Sequence, residues 1–139
     1  MPKLWSETIE SHRSEVRDAI LNSTAELAHR HGPFNVTMSQ IAETVGVSRA
    51  TLYKYFPSVE EALDAWHERH IDHHLARLQT TAAGDEPPIE RLAAVLADYA
   101  DIHRNRTRHA ASPTGLELAT FLHRPDGAAR SATLKIHQL

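Results

Sequence analysis

The segment from residue 48 to residue 55 contains side chains that suit contact with a nucleic acid. An arginine such as Arg49 can pair bidentately with guanine, and a threonine such as Thr51 can touch a thymine methyl group. Tyrosine hydroxyls and the ammonium group of Lys54 can reach phosphate oxygens. The residue types therefore favour DNA as a partner, provided that one element presents them together.

The spacing within this segment predicts a helix with one buried face. Leu52 and Phe56 are four residues apart and can point inward. Ala50, Tyr53 and Lys54 project away from them, and the proline that follows Phe56 ends the helix.

A second predicted helix precedes this one and is separated from it by a tight turn. Thr37 and Gln40 have the spacing of a capping box, which places the helix start near Thr37. Gly46 stands where a left-handed residue often ends a helix, and Ser48 is a suitable N-cap for the next one. The apolar residues recur at the offsets of one buried helical face: Met38, Ile41, Ala42 and Val45.

Two helices of about two turns joined by a short turn with Gly form a helix-turn-helix, which places its second helix in a DNA major groove. A plain helical hairpin with solvated polar residues has the same spacing, so spacing alone leaves both interpretations open. The residues themselves are more specific, and over roughly residues 14 to 66 the chain resembles the TetR family of bacterial transcriptional repressors. The matching residues are Thr37, Ile41, Ala42, Val45, Gly46, Val47, Ser48, Thr51, Leu52, Tyr53, Tyr55 and Phe56.

The resemblance implies an all-α fold with two domains. Residues 1–57 would form a three-helix DNA-binding domain with the helix-turn-helix, and residues 58–139 a helical ligand-sensing and dimerisation domain. A homodimer would present two recognition helices about 34 to 36 Å apart to a pseudopalindromic double-stranded operator. A small-molecule effector of unknown identity would tilt the helix that starts at Ser58 and release the DNA, as in a repressor.

The resemblance also bears on how the chain forms a dimer. The sequence stops before the last two long helices, which build the four-helix bundle of the family's dimers. We therefore expect the second domain to be incomplete, or the chain to dimerise in another way.

The resemblance further assigns roles to individual residues. Thr37 would give its hydroxyl and backbone amide to a phosphate at a helix N-terminus. Arg49 and Ala50 would lie nearest the bases. At position 59, where many members carry a lysine, this chain has Val59, so one phosphate contact is expected to be absent. The remaining contacts to the DNA backbone would come from Ser48, Tyr53, Lys54 and Tyr55.

The second domain offers weaker candidates for binding sites. Three of the eleven histidines, His67, His70 and His74, share one helical face, and two histidines four residues apart can chelate a divalent metal. A His-rich metal-binding or metal-sensing protein is therefore the alternative function. A helix surface that tolerates histidine is the plainer explanation, and no metal site is expected. Candidates for the lining of an effector pocket, for which core packing is the competing explanation, are Trp66, His70, Leu96, Tyr99 and His103.

The composition limits the other function classes. The chain has 139 residues, of which 41% are apolar and five are glycine, which suits an ordered helical protein. Its lack of cysteine excludes disulfides and thiolate metal sites. No segment approaches the ~20 apolar residues that cross a bilayer and no leader opens the chain, so we expect a cytoplasmic protein without a membrane partner. Neither a Gly-rich phosphate loop nor a nucleophile elbow occurs, so neither an enzyme nor a cofactor is expected.

The charge gives weak evidence against DNA binding. The formal net charge is −3, whereas many nucleic-acid binders are strongly basic. A short helix can nevertheless present a local basic tip, and binding that neutralises few phosphates is simply less dependent on salt.

A long helix is predicted over residues 14–31, with Gly32 and Pro33 at its end. Residues 1–13 either add helical turns, with Trp5 packed on the helix, or form a flexible arm. Phe34 and Val36 should fill the junction with the helix-turn-helix. The apolar stripe of the long helix is predicted to contain Val16, Ala19, Ile20, Ser23 and Leu27.

Capping and turn residues predict the remaining helices. Ser58 and Glu61 form a second capping box, so a helix should run from residue 58 to about residue 81. Turn residues then separate further predicted helices over 89–106, 115–122 and 128–139. On the first of these, five apolar residues are in register: Leu92, Val95, Leu96, Tyr99 and Ile102.

Overall fold

The regular secondary structure of the described chain is helical. The structure is a computed structural model, and it describes the backbone of residues 2–126 and the side chains from Ser6 onward. Within that range there is no strand, and no helix is long and apolar enough to cross a bilayer. The predicted all-α class is confirmed. The helices are α1 (Pro2–His31), α2 (Met38–Val45), α3 (Arg49–Tyr55), α4 (Val59–Ala82), α5 (Pro88–His109) and α6 (Pro113–Leu122), with a short 3-10 turn at Pro33–Asn35.

The described residues pack as two compact units. The first extends through Trp66, and the second begins at His67, so the division falls inside α4. Packing therefore groups the first two turns of α4 with the helix-turn-helix. The functional boundary after Pro57 stays a prediction.

Helix α1 is longer than the predicted 14–31 helix, since residues 2–13 continue it without a break. The proposed packing of Trp5 lies outside the described side chains. The helix ends as predicted at Gly32, whose φ of 86° is left-handed and whose N–H donates to the Ala28 carbonyl at 2.8 Å.

The buried face of α1 differs from the predicted stripe. Ala19 is exposed, because the face that packs on α2 is rotated from the predicted one. Thr24 is fully buried on this face, where its hydroxyl donates to the Ile20 carbonyl at 2.7 Å and so has a partner. The buried residues of α1 are Ile20, Leu21, Thr24, Ala25 and Ala28.

The junction after α1 is filled by Pro33 and Val36, and Phe34 is 70% exposed. The prediction for Val36 is confirmed and that for Phe34 is wrong. The 3-10 turn explains the difference, because it has about three residues per turn. Pro33 and Val36 therefore point to the same side, toward the core, while Phe34 points elsewhere.

In the second unit, the predicted boundaries hold to within three residues. The Glu61 N–H donates to the Ser58 hydroxyl at 3.2 Å at the start of α4, and Ser112 caps α6 through the Gly115 N–H at 3.0 Å. Residues 123–126 form the predicted turn. The helix predicted over 128–139 lies outside the described residues. The buried residues of α6 are Gly115, Leu118, Phe121 and Leu122.

Helices α4 and α5 are joined by a polar cluster. The Arg77 guanidinium contacts Asp98 at 2.9 Å and Asp101 at 3.3 Å, and the Thr81 hydroxyl donates to Asp98 at 2.6 Å. The hydrogen bond from Thr81 and the charge of Arg77 lower the pKa of Asp98, so the carboxylate stays ionised. This cluster lies on the side of α5 that faces α4.

Candidate nucleic-acid interface

Helix α2 begins and ends as its sequence predicts. The Thr37 N–H donates to the Gln40 side-chain oxygen at 2.9 Å, and the Gln40 N–H donates to the Thr37 hydroxyl at 3.2 Å, which completes the capping box. At the other end, Gly46 has a left-handed φ of 84° and its N–H donates to the Ala42 carbonyl at 2.9 Å. These local bonds set the length of α2 and the start of the turn.

Helix α3 is also defined by its ends. The Ser48 hydroxyl accepts the Thr51 N–H at 3.1 Å and donates to the Thr51 hydroxyl at 2.9 Å. At the C-terminal end, Phe56 is extended, with φ −141° and ψ 130°, because a following proline disfavours the helical conformation. The helix therefore has about two turns, as predicted.

One face of α3 is anchored in the core. Leu52 is fully buried and Phe56 nearly so, and α3 packs on α2, where Ile41 and Ala42 are also buried. The Arg17 guanidinium of α1 lies 5.5 Å from the centre of the Phe56 ring, a cation–π distance. The sequence does not predict this contact of Arg17, because nothing in the local pattern of α1 indicates a contact with a residue 39 positions away.

The opposite face of α3 is open to solvent. Arg49, Ala50 and Lys54 are exposed, and Tyr53 is 48% exposed. These residues share one side of the helix, as their spacing predicts. Contact between this face and DNA stays a prediction. The two flanking members of the predicted interface are half-buried: Thr51 and Tyr55.

Two predicted phosphate ligands already have partners within the protein. The backbone amide of Thr37 donates to Gln40, so a phosphate would have to displace that bond to receive it. The hydroxyl of Ser48 is shared with Thr51. Both residues therefore act first as helix caps. The exposed Thr37 hydroxyl is a more accessible donor to phosphate than the Thr37 amide, because the hydroxyl accepts the Gln40 N–H and the amide already donates to Gln40.

The residues proposed for an effector pocket lie in different surroundings. Leu96, Tyr99 and His103 are exposed on α5, and His70 is exposed on α4. Trp66 is half-buried in the first unit. An effector pocket lined by these residues stays a prediction.

The three candidate metal ligands lie in two histidine pairs, one of which is completed by His123. The ring of buried His67 meets His123 edge-on, with the centroids 5.1 Å apart, and His70 meets His74 in the same way at 4.7 Å. Within residues 2–126, no group of three or more His, Asp or Glu side chains is arranged to hold a metal ion. Desolvation lowers the pKa of His70, His74 and His123, which favours neutral imidazoles.

The sequence pattern described as "Bacterial regulatory proteins, tetR family" matches residues 20–65. That range contains the C-terminal part of α1, all of α2 and α3, and the first turns of α4. Residues 20–65 are therefore a TetR-family domain. The proposed resemblance is confirmed.

Relatives and a solved structure agree with this match. The chain is 34% identical over 98 residues to the HTH-type transcriptional regulator BetI of Brucella anthropi, covering 70% of this chain and 47% of BetI. It is 27% identical over 103 residues to the nucleoid occlusion factor SlmA of Haemophilus influenzae, covering 74% of this chain and 46% of SlmA. A TetR/AcrR-family regulator from Thermobifida fusca matches with a TM-score of 0.68 and 26% identity, over 88% of this chain and 62% of that one. The chain spans about half the length of these curated relatives.

Proposed function

We propose that this chain, through its TetR-family domain, is a DNA-binding transcriptional regulator that reads double-stranded DNA with the exposed face of α3. The observation that carries the proposal is the division of α3 into two faces. Leu52 is fully buried on one, while Arg49, Tyr53 and Lys54 face solvent on the other. A helix of about 10 to 12 Å in diameter fits the major groove, which is about 12 Å wide.

The order of residues along α3 supports a particular docking. In helix-turn-helix proteins the first turn of the recognition helix meets the base edges. Arg49 and Ala50 occupy that turn, where the arginine can reach a guanine and the small alanine lets the helix approach closely. Tyr53 and Lys54 lie further along and would contact phosphates on either side.

Regulation is the finer part of the proposal. We expect a repressor that acts as a homodimer and leaves its operator when a small molecule binds the second unit. Helix α4 is suited to couple the two events, because it is continuous from Val59 to Ala82 and contributes residues to both units. The small molecule must bind the DNA-free state more tightly for this coupling to operate.

Nuclease protection on the DNA around the chain's own gene and its neighbours tests the proposal. We expect a short protected region with two inverted half-sites. The gel shift of the same fragment should be unchanged when zinc is added. A chain that binds zinc but protects no DNA at any salt concentration would support the His-rich metal-binding alternative and contradict the proposal.

A further inference from the structure

Arg17 is an exposed cation at the edge of the core of the first unit. Along α1 it lies one turn before buried Leu21 and on the same face as buried Thr24. This position explains how its guanidinium comes within 5.5 Å of the centre of the Phe56 ring. An arginine can lie along apolar surface in this way while its charged head stays in water.

The hydrogen-bonding capacity of Arg17 is not used within the described part of the chain. Among the side chains from Ser6 to Asp126, Arg17 contacts the Phe56 ring and pairs with no carboxylate. Arg30, at the other end of α1, differs in this respect because it pairs with Glu26 at 2.6 Å. An aromatic ring offers no lone pair, so the N–H donors of Arg17 remain available for an acceptor. The fork of donors in a guanidinium matches the oxygens of a phosphate.

The contact with Phe56 places Arg17 at the C-terminal end of α3. Phe56 directly follows Lys54 and Tyr55, which are proposed to contact the DNA backbone. Position 59, where many family members carry a lysine, is three residues beyond Phe56 and at most about 11 Å from it along the chain. In this chain that position is the uncharged Val59. Arg17 therefore brings a cation to the region in which position 59 lacks one.

We propose that Arg17, held against Phe56, binds a phosphate of the DNA backbone beside the C-terminal end of α3 and replaces the lysine that is absent at position 59. The inference deepens the proposed function and rests on it, because it adds a contact to DNA that is read by α3. Contact with the ring restricts the arginine before DNA arrives, so less side-chain freedom is lost on binding.

Fluorescence anisotropy of the protected DNA fragment over a salt series tests the contact. Arg17→Gln removes the charge, so it should weaken binding about tenfold at 0.1 M salt and reduce the slope of log affinity against log salt by about one. Arg17→Lys keeps the charge and should keep the wild-type slope. Arg104→Gln is the matched control, because it removes one positive charge from a side chain of the second unit that is 73% exposed. Its slope should equal that of the wild type.

Thermal unfolding of the same variants separates contact with DNA from a purely structural role. Arg17→Met keeps an apolar stem over Phe56 without the charge, so it should lose the slope as Arg17→Gln does and melt close to the wild type. If Arg17 only supported Phe56, the neutral variants would melt at a lower temperature but keep the wild-type slope. That result, or an Arg17→Lys variant with the reduced slope of Arg17→Gln, would overturn the inference.

A double variant tests the replacement of the absent lysine. Val59→Lys in the Arg17→Gln background should return the salt slope to the wild-type value, because a cation is restored to the same region. A double variant that kept the slope of Arg17→Gln would contradict the replacement. Failure of the proposed function would look different, since the wild-type chain would then show no preference for any duplex. A wild type that prefers its site, with a slope that Arg17→Gln does not change, would contradict the contact by Arg17 alone.

Discussion

At the scale of single residues, Arg49 and Lys54 share the exposed face of α3 but should contribute to DNA binding in different ways. Arg49→Ala should cost about 1–3 kcal/mol at the preferred site and relax the preference at one base pair, because a bidentate base contact is lost. Lys54→Ala should weaken binding to all sequences about equally and reduce the salt slope by about one, because a phosphate contact is lost.

Fluorescence anisotropy over a salt series, with a preferred and a scrambled duplex, separates these two effects. The ratio of the two affinities should fall for Arg49→Ala and stay constant for Lys54→Ala. If Arg49→Ala weakened both duplexes equally, its assignment to the bases would be wrong.

The histidines of the second unit should make stability depend on pH. Desolvation lowers the pKa of His70, His74 and His123 in the folded chain, and neighbouring positive groups such as His74 beside His70 and Arg106 beside His123 add to the effect. The unfolded chain then binds more protons than the folded one. The stabilisation is complete above the ordinary histidine pKa of about 6.5 and is lost as the pH falls through the lowered folded values.

Thermal unfolding between pH 7.5 and pH 5 measures this dependence. The melting temperature of the wild type should fall with pH, and replacement of His70, His74 and His123 by Gln should flatten the profile. The matched control is His12→Gln, at an exposed position of α1 in the first unit. A wild-type stability that rose on acidification would contradict the direction of these shifts.

At the scale of single elements, the capping box of α2 should have a measurable effect on stability. Thr37→Ala removes the hydroxyl that accepts the Gln40 N–H, and it should lower the free energy of unfolding by about 1 kcal/mol. Urea denaturation gives the value. Thr44→Ala is the control, since Thr44 is also exposed and donates back to the Gln40 carbonyl within the helix, so a change of about 0.5 kcal/mol or less is expected. Equal losses for the two variants would rule out a special role for the cap.

The start of α4 offers a test by gain of function. Val59 is the first residue of α4 and is half-buried, where many family members have a lysine. The stem of a lysine can lie along the surface while its ammonium reaches a phosphate. Val59→Lys should therefore tighten binding to any duplex and steepen the salt dependence by about one counterion. An unchanged slope would show that the start of α4 does not approach the DNA backbone.

The boundaries of these elements could be predicted from sequence because they depend on local chemistry. Gly46 and Ser48 act on backbone groups within four residues of themselves, so their effects do not depend on the rest of the fold. The faces of the helices were harder to predict. Phe34 and Ala19 are exposed because distant residues decide which side of an element is covered.

In the candidate interface, too, the features that depend on local chemistry could be predicted, and those that depend on distant residues could not. The exposed side of α3 followed from the periodicity of Leu52 and Phe56, whereas the placement of Arg17 over Phe56 required the packing of α1. For α5, the periodicity predicted which apolar residues share a face, but it did not predict that this face is exposed. Leu96 and Tyr99 face solvent because α4 meets the other side of the helix through Arg77.

At the scale of the whole molecule, DNA binding must come from the arrangement of charge and not from its total. The net charge is −3, and the first 57 residues carry six basic and six acidic side chains. Only the few basic side chains near α3 can therefore contact phosphates, and a single copy should bind DNA weakly. Two copies in the proposed homodimer would double these contacts, and binding of the second copy would become an intramolecular event.

Selection of binding sites from a random pool of DNA duplexes tests the central claim, that the exposed face of α3 reads base sequence. We predict that the wild-type chain enriches one motif with two inverted half-sites about one helical turn apart, and that Arg49→Ala loses the preference at the same position of each half-site. A wild-type selection that enriches no motif, or an Arg49→Ala selection that returns the wild-type motif unchanged, would contradict the claim.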